Sequence, residues 1–295
     1  GGNIGKPILS LNLKKNPLII IEASSFQLFY SRFIRPNYAL ILNISNDHLD
    51  WHNSRDNYIN SKLKIFALQK KNHLAFINNK MLLKKFRSNK YLGKIKFINT
   101  EKIKKIKSKI NNDYLKLDLN EENLSFVYEL SKVLKINEKS FLRSLKSFKS
   151  LDHRHEVFYK KNNMIFINDS KATSFAASKF ALEGNENIFW IVGGLPKKFD
   201  KFSINNIKKN IIKTYIIGNH MNTFKKYLIG KVKISLSGTL QNALISIFND
   251  VRKFQNKKIT VLLSPASASY DQFKNFEDRG SKFKKLVKNY AKKYS

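Results

Sequence analysis

The sequence contains no cysteine and is poor in acidic residues, methionine and proline. Its 295 residues include 21 Asp and Glu, 3 Met and 5 Pro. The lack of cysteine excludes disulfide bonds and thiolate metal sites, and it fits a reducing compartment such as the cytoplasm. No apolar run approaches the roughly 20 residues that cross a bilayer, so we expect neither a transmembrane helix nor a membrane partner.

Basic residues are as abundant as acidic ones are scarce. The sequence has 56 Lys and Arg, which gives a formal net charge of +35. Such an excess is common in nucleic-acid-binding proteins. Here the lysines are scattered along the chain and accompany many Asn, Ile, Phe and Tyr, as an AT-rich genome would produce. We therefore expect no nucleic-acid partner, although the summed field favours small anionic substrates.

Short apolar runs alternate with helical patterns along the first half of the chain. Leu18 to Glu22 is a continuous apolar run, as expected for a parallel strand that is covered on both faces. Further strands are predicted at residues 38–43, 73–77 and 96–98, and helices at residues 24–33, 58–69, 120–134 and 139–148. The pattern favours an α/β domain over residues 1–150.

A second alternation begins near Asp152. Strands are predicted at residues 164–167, 188–192, 214–217, 232–235 and 259–263, with helices between them and a last helix from Phe276 onward. This alternation is typical of a parallel, doubly wound sheet. We place the domain boundary near Ser150, so the second domain covers residues 151–295.

The most informative stretch runs from Ile41 to Lys62. A strand ends in Asn43 and opens into a polar loop that contains His48, and the next helix could return Lys62 to that loop. Acid, imidazole and amine groups beyond the carboxyl end of a strand lie where open α/β folds place their chemistry. A polar turn with His48 as a cap or surface residue explains the same pattern.

Glu22 and His48 form a possible metal site. Glu22 ends the first predicted strand and His48 follows the next, and neighbouring parallel strands would bring both to one edge of a sheet. A carboxylate and an imidazole suit a divalent metal, and phosphate oxygens with water could complete a Mg²⁺ shell. Glu22 as a helix cap and His48 as a solvent-exposed side chain remain the alternative.

Three polar loops follow strands of the second domain. The string INDSKAT places Asp169 and Lys171 where they could hold a ribose and a phosphate, or form an N-cap turn with a surface lysine. The pair Gly193-Gly194 permits close backbone approach to a ligand. Small residues and hydroxyls in the string SPASASYDQFKNFEDRG, which starts at Ser264, could admit an amino acid.

Taken together, these strings resemble the Mur ligase family. The matching strings are, in the family's order, GGNIGKP at Gly1, EASSFQL at Glu22, ILNISNDHLDWH at Ile41, YINSKLKIF at Tyr58, NEEN at Asn120, LDHRHE at Leu151, INDSKAT at Ile167, GGLPKKFD at Gly193 and LLSPASASYDQFKNFEDRG at Leu262. The last string resembles most closely the member that adds D-glutamate. The resemblance implies a central parallel-sheet ATPase-type domain followed by a Rossmann-like, doubly wound C-terminal domain.

The resemblance also implies a reaction in peptidoglycan precursor synthesis. ATP would phosphorylate the terminal carboxylate of UDP-N-acetylmuramoyl-L-alanine, and the amine of D-glutamate would then displace phosphate from the acyl phosphate. Phosphoryl transfer needs positioning and charge neutralisation more than covalent chemistry. Two Mg²⁺ ions would supply that neutralisation. We expect a monomeric enzyme with these three substrates as its partners.

Individual residues receive roles from the same resemblance. Glu22, His48 and Lys62 resemble the family's metal ligands, with Lys62 carbamylated by CO₂ so that an amine becomes an anionic oxygen ligand. Lys62, His48 and Lys171 resemble the catalytic residues. The other implied contacts are Asn120, Asn123, Arg154 and Asp169 to ATP; Asn3, Ser24 and Gln27 to the UDP-sugar; and Lys171, Thr173, Lys197, Ser269 and Phe276 to D-glutamate.

The sequence departs from the family in one chemically important respect. It contains no G-x-x-x-x-G-K-[ST] phosphate loop, and the family's N-terminal uridine-binding domain is not recognised, so about two thirds of a family member is present. We expect residues 1–295 alone to ligate poorly or not at all. Smaller departures at Ser174 and Ala268 remove no charge that the mechanism needs.

Three other interpretations stay open at this point. A sibling ligase, such as a folylpolyglutamate-synthase-like enzyme, would differ in the amino acid that it accepts. A binding module could keep the fold and lose the ATP chemistry, although intact Glu22, His48 and Lys62 argue against decay. A nucleic-acid binder is supported by charge alone, and its binding would fall steeply with salt.

Overall fold

The computed structural model describes residues 1–2, 7–10, 12, 17–44, 48–197, 200, 202–254 and 257–293. The chain forms two compact units. The first comprises Gly1–Lys116 and Asn120–Lys146, and the second comprises Leu117–Leu119 and Ser147–Ser295. Each unit combines a sheet with helices, so the predicted α/β class is confirmed.

A small parallel sheet organises the first unit. Its described elements are α1 (Ser25–Tyr30), β1 (Tyr38–Ile41), α2 (Leu49–His52), α3 (Arg55–Leu63), β2 (Leu74–Ile77), α4 (Lys80–Ser88), β3 (Lys94–Phe97), α5 (Glu101–Ile106), α6 (Asp113–Lys116), α7 (Glu121–Val133) and α8 (Glu138–Ser147), with short 3-10 helices at Ile8–Ser10, Lys64–Phe66 and Lys107–Lys109. A further 3-10 helix, Asp118–Asn120, includes two residues assigned to the second unit. The strands pair in the order β1-β2-β3, and both pairs are parallel.

The central strand of this sheet is covered on both faces. Ala75 and Ile77 of β2 pack with α3 and α4, whereas Phe76 packs on the opposite side with Phe126 of α7. Successive residues of a strand point to opposite faces, so a continuous apolar run fits a strand buried on both sides. A separate apolar cluster joins α5, α7 and α8.

The prediction of a buried strand at Leu18 to Glu22 is wrong. The structure has no strand there, and Leu18 and Ile20 are 65% and 75% exposed. Among the described residues, this stretch makes a single parallel bridge, between Gly2 and Glu22. The backbone of Gly1 also bonds to Ile20 and Glu22. Within the described part of the chain, the stretch therefore lacks the two neighbouring strands that a central strand requires.

The second unit contains a six-stranded sheet. Its elements are β4 (Glu156–Lys161), β5 (Met164–Asn168), α9 (Phe175–Glu183), β6 (Ile188–Gly193), a 3-10 helix at Lys208–Asn210, β7 (Ile211–Ile217), α10 (Met221–Leu228), β8 (Ile234–Gly238), α11 (Leu240–Val251), β9 (Ile259–Leu263) and α12 (Phe276–Lys293). The strand order is β4-β5-β9-β6-β7-β8. All pairs are parallel except that between the edge strand β4 and β5.

Helices cover both faces of this sheet, as predicted for a doubly wound fold. Leu244 of α11 and Phe283 of α12 belong to one apolar cluster, and Leu182 of α9 and Phe224 of α10 belong to the other. The last strand, β9, lies between β5 and β6. The carboxyl ends of these three strands therefore meet where the strand order reverses, which is where open α/β sheets bind ligands.

The edge strand β4 was not predicted. It carries Lys160 and Lys161 and is only partly buried along its length. A charged, half-exposed edge strand lacks the apolar run by which buried strands are recognised.

In the described part of the chain, no helix is both long and apolar enough to cross a membrane.

Candidate functional site

In the first unit, the predicted loop residue His48 lies at the start of α2. Its backbone is left-handed, with φ of 55°. Its ring lies edge-on to that of Phe26 in α1, with 4.8 Å between the ring centres. His48 therefore packs against the helix that follows Glu22 in the chain.

His52 is the buried centre of this region, although the sequence did not single it out. The side chain is 3% exposed. Its Nε2 lies 3.0 Å from the hydroxyl of Ser25 in α1, and its Nδ1 lies 3.4 Å from the hydroxyl of Ser61 in α3. The imidazole thus connects three helices. In the sequence nothing separates His52 from His48, and only these contacts with Ser25 and Ser61 show that His52 is the buried one.

Two predicted site residues, His48 and Lys62, act on His52 through their charges. Burial lowers the pKa of His52 below its usual 6.5, the charges of His48 and Lys62 lower it further, and Asp50 opposes them. Lys62 lies in the last turn of α3, with its Nζ 5.2 Å from the ring centre of Tyr58. His48 and Lys62 are therefore close enough for their charges to act on one imidazole.

Glu22, the third predicted metal ligand, is exposed and lies two residues before the N-cap of α1. Its backbone N–H donates to the carbonyl of Gly1 at 3.1 Å. Within the residues that the structure describes, no group of three or more His, Cys, Asp and Glu side chains could hold a metal ion. The predicted ligand set contains two residues of these types, Glu22 and His48, so Lys62 would have to supply the third protein ligand.

The proposed UDP-sugar contacts have a local structural role as well. Ser24 is the N-cap of α1, and its hydroxyl accepts a hydrogen bond from the backbone N–H of Gln27 at 3.2 Å. The Gln27 side-chain oxygen accepts from the Ser24 backbone N–H at 2.9 Å, which completes a capping box. Asn3, the third residue of this group, lies outside the described residues.

The two asparagines predicted to contact ATP flank the start of α7. Asn120 is buried, and its side-chain amide donates to the carbonyl of Tyr114 at 2.6 Å. Asn123 is exposed one turn later. Between them, Glu122 accepts a hydrogen bond from Asn78, and burial raises its pKa against the lowering effect of that bond. The exposed amide of Asn123 is the more accessible of the two.

In the second unit, Asp169 follows β5 and is 7% exposed. Its Oδ2 accepts a hydrogen bond from the hydroxyl of Ser264 at 2.7 Å, and its Oδ1 accepts from the backbone N–H of His155 at 3.1 Å. Burial raises the pKa of Asp169 to about 7, although these two bonds and the charge of Arg154 oppose the rise. The carboxyl group can therefore gain or lose a proton near neutral pH.

Lys171 and Phe276 lie together, as their shared assignment to an amino-acid pocket requires. The Nζ of Lys171 is 5.2 Å from the ring centre of Phe276, at the first residue of α12. The carbonyl of Phe276 accepts from the hydroxyl of Ser170 at 2.8 Å. Thr173, which is half-buried, precedes the N-cap Ser174 of α9. One short loop thus places an amine beside an aromatic ring.

The loops that follow β6 and β9 are joined by their backbones. Leu195 and Ala268 exchange two hydrogen bonds, of 2.9 and 3.1 Å. Lys197 lies half-buried two residues after Leu195, and Ser269 lies 2% exposed directly after Ala268. The structure therefore brings the loops that carry these two residues side by side.

Two more buried residues in this region escaped prediction. His155 is 6% exposed, and burial lowers its pKa to about 4. Arg279 is completely buried, and burial lowers its pKa to about 10, with the charge of Asp271 opposing the change. Charged residue types are normally exposed, so nothing in the sequence marks these two as interior.

The chain is similar in sequence to one protein family and in fold to solved ligase structures. Residues 3–141 match the Mur ligase middle domain. A MurF ligase from Thermotoga maritima in complex with ADP superimposes with a TM-score of 0.61 over 93% of this chain and 67% of that one, at 14% identity. A bifunctional folylpolyglutamate synthase/dihydrofolate synthase from Yersinia pestis, complexed with AMPPNP and Mn ion, gives 0.55 over 85% and 61%, at 12% identity. These likenesses confirm the predicted two-part architecture.

The chain is also similar in sequence to individual enzymes of this family. The chain is 33% identical over 97% of its length to the UDP-N-acetylmuramoylalanine–D-glutamate ligase of Pseudothermotoga lettingae, of which it covers 68%. It is 34% identical over 98% of its length to the ligase of the same name from Rickettsia felis, of which it covers 69%. The chain belongs to the Mur ligase family. Both of these relatives are named as D-glutamate ligases.

Proposed function

We propose that the chain acts in the ATP-dependent addition of D-glutamate to UDP-N-acetylmuramoyl-L-alanine, a step of peptidoglycan precursor synthesis. The observation that carries this proposal is the 33% identity, over 97% of the chain, to a ligase named for that product. The similarity to a folylpolyglutamate synthase is one of fold, at 12% identity. We further propose a cytoplasmic monomer, which the absence of cysteine fits.

The residues proposed to contact ATP are Asn120, Asn123, Arg154 and Asp169. Solved relatives by fold hold ADP or AMPPNP, which supports the use of an adenine nucleotide. An exposed guanidinium such as that of Arg154 suits phosphate oxygens, because its fork of donors matches their geometry.

The first unit is proposed to hold Mg²⁺ through Glu22, His48 and a carbamylated Lys62. The donor types suit the ion, since a carboxylate and a carbamate supply hard oxygen ligands. His48 is the N-cap of α2, and Lys62 lies in the last turn of α3, the next helix along the chain. When bound, the metal would neutralise charge on the phosphoryl group that is being transferred.

The loops past β5, β6 and β9 are proposed to hold D-glutamate. The proposed contacts are Lys171, Thr173, Lys197, Ser269 and Phe276. Two ammonium groups suit a substrate with two carboxylates, because charge-assisted hydrogen bonds are among the strongest that proteins make. The 5.2 Å separation of Lys171 Nζ from the Phe276 ring supports a common pocket.

The reaction proceeds in two displacements. A carboxylate oxygen of the L-alanine residue attacks the γ-phosphorus of ATP, and the bond from that phosphorus to the ADP oxygen breaks. The amine nitrogen of D-glutamate then attacks the acyl carbon, an N–H proton passes to water, and the C–O bond breaks so that inorganic phosphate leaves with its bonding electrons. The pocket residues orient the amine toward the acyl carbon.

Amino-acid competition tests the proposal. The full-length gene product is supplied with ATP, Mg²⁺ and UDP-N-acetylmuramoyl-L-alanine, and ADP release is measured with D-glutamate, L-glutamate, L-lysine or glycine. We expect a preference for D-glutamate of about 100-fold or more. Glycine and L-lysine lack the second carboxylate and leave a pocket lysine unpaired, whereas L-glutamate cannot place its amine and both carboxylates in the same three positions at once. Equal rates with all four would overturn the proposal. Residues 1–295 contain no G-x-x-x-x-G-K-[ST] string, so we expect little turnover from them alone.

A further inference from the structure

Arg279 occupies an unusual place for an arginine. It lies in the first turn of α12, and its side chain is fully buried. A buried guanidinium is costly unless its donors are satisfied. Burial lowers its pKa only to about 10, so the side chain keeps its charge at neutral pH.

The guanidinium joins two strand-end loops. Its Nε donates to the hydroxyl of Ser170 at 3.0 Å, and its Nη2 donates to the carbonyl of Ser170 at 2.8 Å. The same Nη2 donates to the carbonyl of Ser267 at 3.0 Å. Ser170 belongs to the loop after β5 and Ser267 to the loop after β9, so one side chain fixes the distance between them.

A third loop closes over the remaining nitrogen. Nη1 has no hydrogen-bond partner among the described residues. A Cβ atom on Gly194, in the loop after β6, would lie 3.3 Å from Nη1 and 2.3 Å from the carbonyl oxygen of Ala268. With φ of 134°, Gly194 also adopts a conformation that other residues rarely reach. The glycine thus lets the β6 loop approach the guanidinium closely.

Each loop that meets Arg279 carries residues of the proposed amino-acid pocket. Lys171 and Thr173 follow Ser170, Ser269 follows Ser267, and Lys197 follows Gly194. Phe276 lies one turn before Arg279 in α12, and its carbonyl accepts from the Ser170 hydroxyl. Arg279 therefore bonds to two of the loops that carry the proposed pocket residues and is closely approached by the third.

We propose that Arg279 is a positioning residue that holds the loops after β5, β6 and β9 in the arrangement that receives the amino acid. This inference rests on the proposed function for the identity of the ligand. The fork of donors, rather than the charge alone, sets the spacing, because its bonds reach two backbone carbonyls and one hydroxyl. A pocket assembled in advance binds its ligand without paying the entropy of ordering loops.

Kinetics of the full-length gene product test this role. Arg279→Met keeps the apolar stem and removes every donor. We expect the KM for D-glutamate to rise about tenfold, with kcat at saturating D-glutamate and the KM for ATP changed less than about threefold. Arg279→Lys keeps a charge and one donor group, so it recovers part of the lost affinity. An unchanged KM for D-glutamate in folded Arg279→Met would overturn the proposal.

Lys161→Met is the matched control. Lys161 ends the edge strand β4, where it pairs with Met164 at the start of β5, and its ammonium group donates to the carbonyl of Ala291 in α12. It therefore lies at the end of the sheet opposite to the three loops. Its loss should lower the melting temperature and leave the KM for D-glutamate within about twofold. An equal rise in that KM in both variants would show general destabilisation instead of positioning. Should Arg279→Met fail to fold, Ser170→Ala removes one acceptor and should raise the KM in the same direction.

Hydrogen exchange separates failure of this inference from failure of the proposed function. Amide exchange at residues 171–173 and 267–269 is measured on residues 1–295 without ligand. We expect faster exchange at both segments in Arg279→Lys than in the wild type and in Lys161→Met. If D-glutamate proves not to be the substrate, these rates still decide the role of Arg279, and unchanged rates would overturn it.

Discussion

The hydroxyl of Ser264 donates to the carboxylate of Asp169 across 2.7 Å, and this bond joins the carboxyl ends of β9 and β5. These two strands lie side by side in the sheet but are about 95 residues apart in sequence. The bond stabilises the ionised acid, whereas burial favours the neutral one. The protonation of Asp169 is therefore coupled to the stability of the second unit.

The first prediction concerns the pH dependence of that stability. Burial raises the pKa of Asp169 from 3.8 to about 7 in the folded chain. Between these values the folded state holds a proton that the unfolded state has lost, so this contribution to the free energy of unfolding falls as pH rises through the window. The free energy of unfolding of the wild type, relative to that of Asp169→Asn, should therefore fall from pH 4 to pH 7 and level off above it.

Urea unfolding followed by the fluorescence of buried Trp190 measures this difference, in a Trp51→Phe background that leaves one tryptophan. Asp250→Asn is the control. Burial would raise the pKa of Asp250, but hydrogen bonds from Lys213 and Tyr215 lower it overall. Its contribution should therefore be lost only as pH falls below 3.8. A pH-independent difference for Asp169→Asn would contradict the account.

The second prediction concerns His155, whose contribution to stability rises with pH, whereas that of Asp169 falls. Burial lowers the pKa of His155 from 6.5 to about 4, so the unfolded state binds a proton that the folded state lacks between those values. This contribution to stability is complete above pH 6.5 and is lost as pH falls toward 4. His155→Leu should remove the loss and lessen acid unfolding of the second unit. Because the His155 backbone bonds to Asp169, the comparison is best made in Asp169→Asn. Identical acid profiles with and without the imidazole would contradict it.

The third prediction separates two roles of Ser24. Ser24→Ala removes the side-chain cap of α1 and should lower the free energy of unfolding of the first unit by about 1 kcal/mol. Ser24→Asp keeps an oxygen acceptor and should restore that loss. Ser24→Asp also places a carboxylate where the UDP-sugar is proposed to lie, so the KM for that substrate should rise. Trp51 fluorescence reports stability, and the ADP-release assay reports KM. A restored KM together with restored stability would limit Ser24 to capping.

The fourth prediction concerns metal binding at Lys62. A carbamate needs the primary amine, so Lys62→Arg keeps the positive charge but should weaken Mn²⁺ binding, measured by electron paramagnetic resonance of the free ion. Lys62→Glu supplies a carboxylate and should recover part of the affinity. Lys64→Arg is the control, since Lys64 donates to the carbonyl of Phe29. Equal Mn²⁺ affinity in wild type and Lys62→Arg would exclude Lys62 as a ligand.

Much of the fold follows from local pattern. The strands β5, β6 and β9 are continuous apolar runs, and the structure buries every residue of β6 and β9. Such runs are recognisable because a parallel strand between two helix layers has no polar face. The stretch from Leu18 to Glu22 has the same composition and forms no strand, because composition does not supply a neighbour for the backbone to pair with.

The candidate site was predictable where chemistry follows strand ends. Asp169 and Lys171 come directly after an apolar run, and the structure places them past the carboxyl end of β5. His52, His155 and Arg279 were not predictable, because their importance lies in burial and in partners distant in sequence. Arg279 bonds to Ser170 across 109 positions, and no local pattern specifies that contact.

The most direct test of the central claim follows one oxygen atom. UDP-N-acetylmuramoyl-L-alanine labelled with ¹⁸O in its terminal carboxylate is incubated with the full-length gene product, ATP, Mg²⁺ and D-glutamate, and the inorganic phosphate is analysed by mass spectrometry. An acyl phosphate leaves a carboxylate oxygen on the phosphate when the amine displaces it, so we predict one ¹⁸O atom in each phosphate released. Unlabelled phosphate, or phosphate released without amide formation, would contradict the account.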